Sequence, residues 1–193
     1  MPARSEFLIG ASFVARLADL TVALPVILLV AGQTGSYAWA GVATGALAFG
    51  AAVATPVLGR MTDRRGHRRV LGVAALVSAA FLVALALLPA GTSPIAYVVL
   101  AAGAGLASPP LEASVRSLIA TREPAHRRQR LLQIDTTSED LIFIAVPPVL
   151  VGLAAIFSPT ASVLFCAMAL AVGTMLILAS PASAGSGMSE RIS

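Results

Sequence analysis

The chain has 193 residues, 58% of them hydrophobic and 11% charged, with a mean hydropathy of +0.89. A soluble domain of this size cannot hide that much apolar surface, so the composition excludes a water-soluble fold and makes lipid the solvent. The net charge of +4 comes from Arg without any Lys. Those arginines sit in short segments beside apolar runs, with no stacking aromatics among them. This argues against nucleic acid and for anionic lipid headgroups.

Six apolar runs of about 20 residues are each long enough to cross about 30 Å of hydrocarbon. In chain order they are Phe7–Ala31, Ala38–Leu58, Val70–Pro89, Ile95–Ala120, Leu131–Phe157 and Ala161–Ser180. They predict an all-α polytopic membrane protein, with one six-helix bundle over residues 1–180 and a disordered, Ser- and Gly-containing tail at 181–193. No stretch alternates polar and apolar as a barrel strand does. The first run is no cleaved signal, because Arg16 and Asp19 interrupt it and it is too long. In the second, Gly41-x-x-x-Gly45 reads as a helix-packing signature. Pro25, Pro109-Pro110 and Pro147-Pro148 are expected to kink their helices. The lone Cys166 lies among apolar residues of the sixth run and reads as an inert thiol.

Orientation follows from the arginines. The connections 32–37, 90–94 and 158–160 carry no charge, whereas the other side holds Arg4, five arginines between runs two and three, Arg122, Arg127, Arg128, Arg130 and Arg191. The positive-inside rule places both termini in the cytoplasm of a cell-membrane protein. Tyr37, Trp39 and Tyr97 fall at the opposite ends of their runs, where an aromatic belt is expected.

Between runs two and three the chain reads Gly59-Arg60-Met61-Thr62-Asp63-Arg64-Arg65-Gly66-His67-Arg68-Arg69-Val70-Leu71. This resembles the loop between the second and third helices of major facilitator superfamily transporters, Gly-x-Leu-x-Asp-Arg-x-Gly-Arg-Arg followed by an aliphatic pair. Gly59, Asp63, Arg64, Gly66, Arg68 and Arg69 fall in its register, with Met61 for the usual Leu and His67 for a usual Arg. Arg16-Leu17 with Pro25, Ser108-Pro109-Pro110-Leu111 with Ser114-Val115-Arg116, and Ser138-Glu139-Asp140-Leu141 with Pro147-Pro148 are similar to the family's first, fourth and fifth helices. The family's antiporter pattern in helix five survives only as Val146-Pro147 with Gly152.

The resemblance implies one half of such a transporter, its two helix triplets related as an inverted repeat. It implies that Asp63 pairs at the inner gate with an arginine at the inner end of helix four, where Arg116 and Arg122 are available. It also implies secondary transport of a small solute, with alternating access between two halves. One copy alone then needs a second six-helix half or a second copy of itself. A truncated or accessory, non-transporting membrane protein is the alternative. No enzyme, cofactor or metal constellation is legible, and His67 and His126 lack ligand spacing.

Seven ionisable residues fall within the runs: Arg16, Asp19, Glu112, Arg116, Asp135, Glu139 and Asp140. Charge at membrane depth is expensive, so these face protein or a wet cavity. All lie on runs one, four and five, which in the resembled fold contribute to the central cavity. Arg16 and Asp19 are spaced i,i+3 and Glu112 and Arg116 i,i+4, so each pair can neutralise itself. Asp135 and Glu139 are i,i+4 with like charge, and the total is five acids against two arginines. Crowded carboxylates raise one another's proton affinity, as proton coupling requires. A structural ion-pair lock at the inner gate fits the same spacing, and both readings stay open. As a proton carrier Glu139 leads, then Asp19.

Overall fold

A computed structural model describes residues 21–109 and 125–179 of the chain. Among them are six α-helices and no strand: α1 (Ala23–Thr34), α2 (Tyr37–Arg65), α3 (His67–Ala86), α4 (Pro94–Leu106), α5 (Ala125–Ile156) and α6 (Pro159–Ala179). The order and number match the six apolar runs.

The connections are tight, and glycine sets them where the backbone needs positive φ. Gly35 (φ 65°) ends α1 in the left-handed conformation and donates its N–H to the Ala31 carbonyl at 2.9 Å. Gly91 (φ 84°) turns the chain between α3 and α4, and Pro94 then opens α4, where its missing N–H costs nothing. At the start of α6, Ala161 donates its N–H to Ser158 Oγ at 3.1 Å, a side-chain cap.

Several boundaries differ from the sequence pattern. Gly59–Arg65 is not loop but the last turns of α2, so the connection to α3 shrinks to Gly66 alone (φ 86°). Apolar character ends at Leu58, but the N–H ladder does not, because arginine is a good helix former. Conversely, α4 stops at Leu106 inside the run Ile95–Ala120, of which residues 110–120 lie outside the described residues. The cause is Pro109-Pro110, which lack the N–H groups that the Gly105 and Leu106 carbonyls need, and Pro109 pushes Ser108 out of the helical region. Ser108 instead donates its N–H back to Gly105 at 2.9 Å. The expected kink at Pro109-Pro110 coincides with this helix end, and Pro110 itself lies outside the described residues. At Pro147-Pro148, by contrast, α5 continues as one helix to Ile156.

Packing is uneven. α2 lies mainly along α4, α3 on α6 and α4, and α5 on α6 and α1, while α1 touches α2, α4, α5 and α6. Exchanging the triplets α1–α3 and α4–α6 maps α2 on α4 to α5 on α1, and α3 on α4 to α6 on α1. All four contacts occur, although the broad α1–α2 contact has no α4–α5 counterpart of similar extent among the described residues. The α2–α4 crossing is the closest. A Cβ on Gly105 would fall on the Leu47 carbonyl oxygen, and one on Gly50 would lie 2.7 Å from the Ala102 carbonyl oxygen. Gly103 faces the Phe81 ring in the same way at 2.7 Å. Gly41 and Gly45, the expected packing pair, have nothing within 4 Å of their Cβ positions.

Three of these helices are long and apolar enough to cross a membrane, with 17% of the α2 span buried against 56% for α3 and 39% for α6. Tyr37 and Trp39 are exposed at the start of α2, as belt residues are. Tyr97 is not a belt residue: at 1% exposure it belongs to the core beside Leu29, Leu85 and Ile142.

Candidate functional site

The motif residues occupy both sides of one backbone hinge. Thr62 is buried and donates its hydroxyl to the Gly59 carbonyl at 2.6 Å, which fixes the last turns of α2. Gly66 then donates its N–H to the Thr62 carbonyl at 3.0 Å and accepts from Val70 at 3.4 Å. Gly59 therefore serves inside a helix as a carbonyl acceptor, and only Gly66 makes a turn. Arg60, Arg64 and Arg69 are exposed. Arg64 and Arg65 fall in the last turn of α2, where the helix dipole favours cations, whereas Arg68 and Arg69 fall in the first turn of α3, where it does not. This end of the molecule is thus charged with excess positive potential. Asp63 and Arg68 have helical backbone, and their side chains lie outside the described residues.

On α5, helical backbone over 125–156 makes the Asp135–Glu139 separation one turn, about 6 Å of rise. Asp140 is exposed on this bundle. The side chains of Asp135 and Glu139, and all of Arg16, Asp19, Glu112 and Arg116, lie outside the described residues. No group of three metal-ligating side chains occurs among the described residues.

The bundle also holds polar groups that hydropathy did not single out. Where α4 stops, the Ala107 and Ser108 N–H groups go to Gly103 and Gly105, which leaves the Ala104 carbonyl without a helical donor. Ser78 of α3, buried at 3% exposure, donates its hydroxyl there at 2.9 Å. Beside it a cavity of about 30 Å³, lined by Ser78, Ser108, Gly105 and Leu170 among others, has room for one water. A Ser within an apolar run, opposite a helix that a Pro pair must end, was the available signal. Ser162 makes a similar interhelical bond to the Leu150 carbonyl at 2.9 Å. The buried Tyr97 hydroxyl and Thr174 Oγ1 have no partner among the described residues.

The sequence profile described as Major Facilitator Superfamily matches residues 8–188, nearly the whole chain. No curated protein and no solved structure matches it. Six helices and no strand among the described residues, and the Gly-hinged basic segment between α2 and α3, agree with that match. The chain belongs to the major facilitator superfamily and is a multi-pass membrane transporter of that family.

Proposed function

We propose that the chain exports a small solute at the expense of the proton gradient, acting with a second six-helix half or a second copy of itself. One observation carries the need for a partner. The side of α2 that bears Val42, Phe49, Val53 and Val57 is exposed, and Gly41 and Gly45 stand open on the same helix. Asp140 on α5 is exposed as well. A bare carboxylate beside hydrocarbon is costly, so α5 calls for protein or a wet cavity over it. A solute path between two such halves supplies both.

Within that assembly, residues 1–180 form one six-helix unit followed by the tail 181–193. Both termini face the cytoplasm of the cell membrane, on the side where the arginines gather. Asp63 is the gate residue at the α2–α3 hinge. Arg16, Asp19, Glu112, Arg116, Asp135, Glu139 and Asp140 line the inner half of the path, and Glu139 carries the proton, because one turn separates it from Asp135 and Asp140 adjoins it in sequence.

The test uses proteoliposomes with an imposed pH gradient, a trapped pH-sensitive dye and a panel of small solutes. Wild type should couple proton flux to uphill accumulation of at least one solute. Glu139→Gln, nearly equal in volume, should abolish accumulation and keep downhill exchange. Full accumulation in Glu139→Gln would remove the residue from the mechanism. A rise in thermal stability without uncoupling would assign the acids to a structural lock.

A further inference from the structure

Away from the α2–α4 crossing, the inner ends of α2, α3 and α4 enclose a groove of about 580 Å³. That lies within the roughly 300–1,000 Å³ usual for small-molecule sites. One wall is the α3 stripe Val70, Val73, Ala74 and Val77, and the other is Leu58 and Met61 of α2 with Leu106 of α4. Among the described residues its one charged lining residue is Arg69.

Position along the bilayer gives the groove a polarity. Arg69 is the last charged residue before the apolar stretch of α3, whose membrane-length span is Arg69–Ala86. From Arg69 to Val77 the helix rises about 12 Å. The guanidinium therefore sits at headgroup level, with an apolar channel running from it toward the midplane. Val73 at 62% and Val77 at 41% exposure leave the channel open along its length, as entry from the bilayer requires. Val70 and Ala74 form a buried floor. Arg60 and Arg64 are also exposed at this end of α2, and Arg69 makes no hydrogen bond or ion pair among the described residues.

An apolar slot that ends in a cation at headgroup level matches one occupant. We propose that the groove holds one acyl chain of an anionic phospholipid, whose phosphate accepts hydrogen bonds from Arg69. A guanidinium presents a planar set of donors that fits phosphate oxygens in pairs. The proposal does not depend on which solute moves or on proton coupling.

The test is lipid retention by the full chain in detergent, read by native mass spectrometry with phosphatidylglycerol and phosphatidylcholine of identical chains. Wild type should retain one phosphatidylglycerol per chain in preference to phosphatidylcholine. Arg69→Gln should weaken phosphatidylglycerol about fivefold, the value of one basic residue at a membrane surface, and bring the two lipids level. Val73→Trp and Val77→Trp, at exposed wall positions that tolerate bulk, should lower retention of both lipids. Arg60→Gln removes a neighbouring charge that does not line the groove, and it should keep the preference. Undiminished retention in both Trp variants would overturn the groove as the site, and an unchanged preference in Arg69→Gln would overturn its headgroup role. Equal loss in Arg60→Gln and Arg69→Gln would reduce the effect to general surface charge and overturn the specific site.

Discussion

Two pairs of glycines, one at the α2–α4 crossing and one on the open side of α2, teach more than either could alone. Gly50 and its partner Gly105 on α4 have backbone atoms pressed against the place where a Cβ would go, whereas Gly41 and Gly45 face open space on the same helix. All four are small residues in apolar helices. The difference lies in what stands opposite. Where α4 crosses α2, missing side chains let two backbones meet and gain dispersion contacts, the main source of helix association in lipid. Where nothing crosses, the same omission leaves a flat surface that only another protein or lipid can cover. A Gly-x-x-x-Gly spacing thus marks capacity for close approach, and the neighbour decides whether the capacity is used.

The largest expected effect reverses sign between the two sites. Gly105→Ala forces a methyl onto the Leu47 carbonyl oxygen, and Gly50→Ala places one 2.7 Å from the Ala102 oxygen. Neither backbone atom can rotate aside, so the helices must part. Overpacking of this kind costs about 1–3 kcal/mol, more than the ~0.5–1 kcal/mol that Ala gains over Gly within a helix. Gly41→Ala and Gly45→Ala collect only that gain and should stabilise the bundle by up to about 1 kcal/mol. Thermal unfolding of the four variants in detergent, followed by circular dichroism, measures the contrast. The same sign at all four would refute it.

A bulkier change on the open side separates folding from assembly. Gly45→Trp meets no atom within 4 Å of its Cβ and should leave the melting curve of the isolated bundle within about 0.5 kcal/mol of wild type. If α2 seats a second copy or second half, the same residue should prevent it. Disulfide crosslinking through a cysteine at Val53, 43% exposed on that helix, should then fall in the Trp variant. Absence of crosslinking even without the Trp would assign this face to lipid, and undiminished crosslinking in Gly45→Trp would place Gly45 outside the seam. Cys166 is fully buried and should add no background.

Helix number, order and family were legible because each run is long, apolar and separated by charge or turn residues, and because Gly59, Asp63, Gly66, Arg68 and Arg69 keep a recognisable register. Three features were hidden, each for a physical reason. Hydropathy reports where lipid ends, not where the N–H ladder ends, so Gly59–Arg65 looked like loop although α2 runs through it. A helix apolar on all sides has no stripe to tell core from lipid, so Tyr97 near the start of α4 looked like a belt residue although the bundle encloses it. The third is Gly105, whose role depends on Leu47 of another helix, a pairing no local pattern records. On the candidate site the pattern reached residue types and spacing. The one-turn spacing of Asp135 and Glu139 was already legible, and the fold adds that α5 runs unbroken through both.

The smallest expected effect tests why the inner side of the comparison is closed at all. α4 ends inside the bundle, and its Ala104 carbonyl would be orphaned there without the 2.9 Å bond from Ser78. Ser78→Ala removes a donor and leaves the acceptor buried. In a soluble core such a carbonyl costs about 1–3 kcal/mol. Interhelical hydrogen bonds in membranes average only about 0.6 kcal/mol, with a ceiling near ~1.7, because the freed group finds other partners. The adjoining cavity of about 30 Å³ offers one such partner, since a water there could donate in place of the hydroxyl. A loss near the membrane average, restored by Ser78→Thr, would identify the bond as a cap on α4. A loss as large as that of Gly105→Ala would mean instead that the seam is held by polar contacts rather than by the absence of side chains.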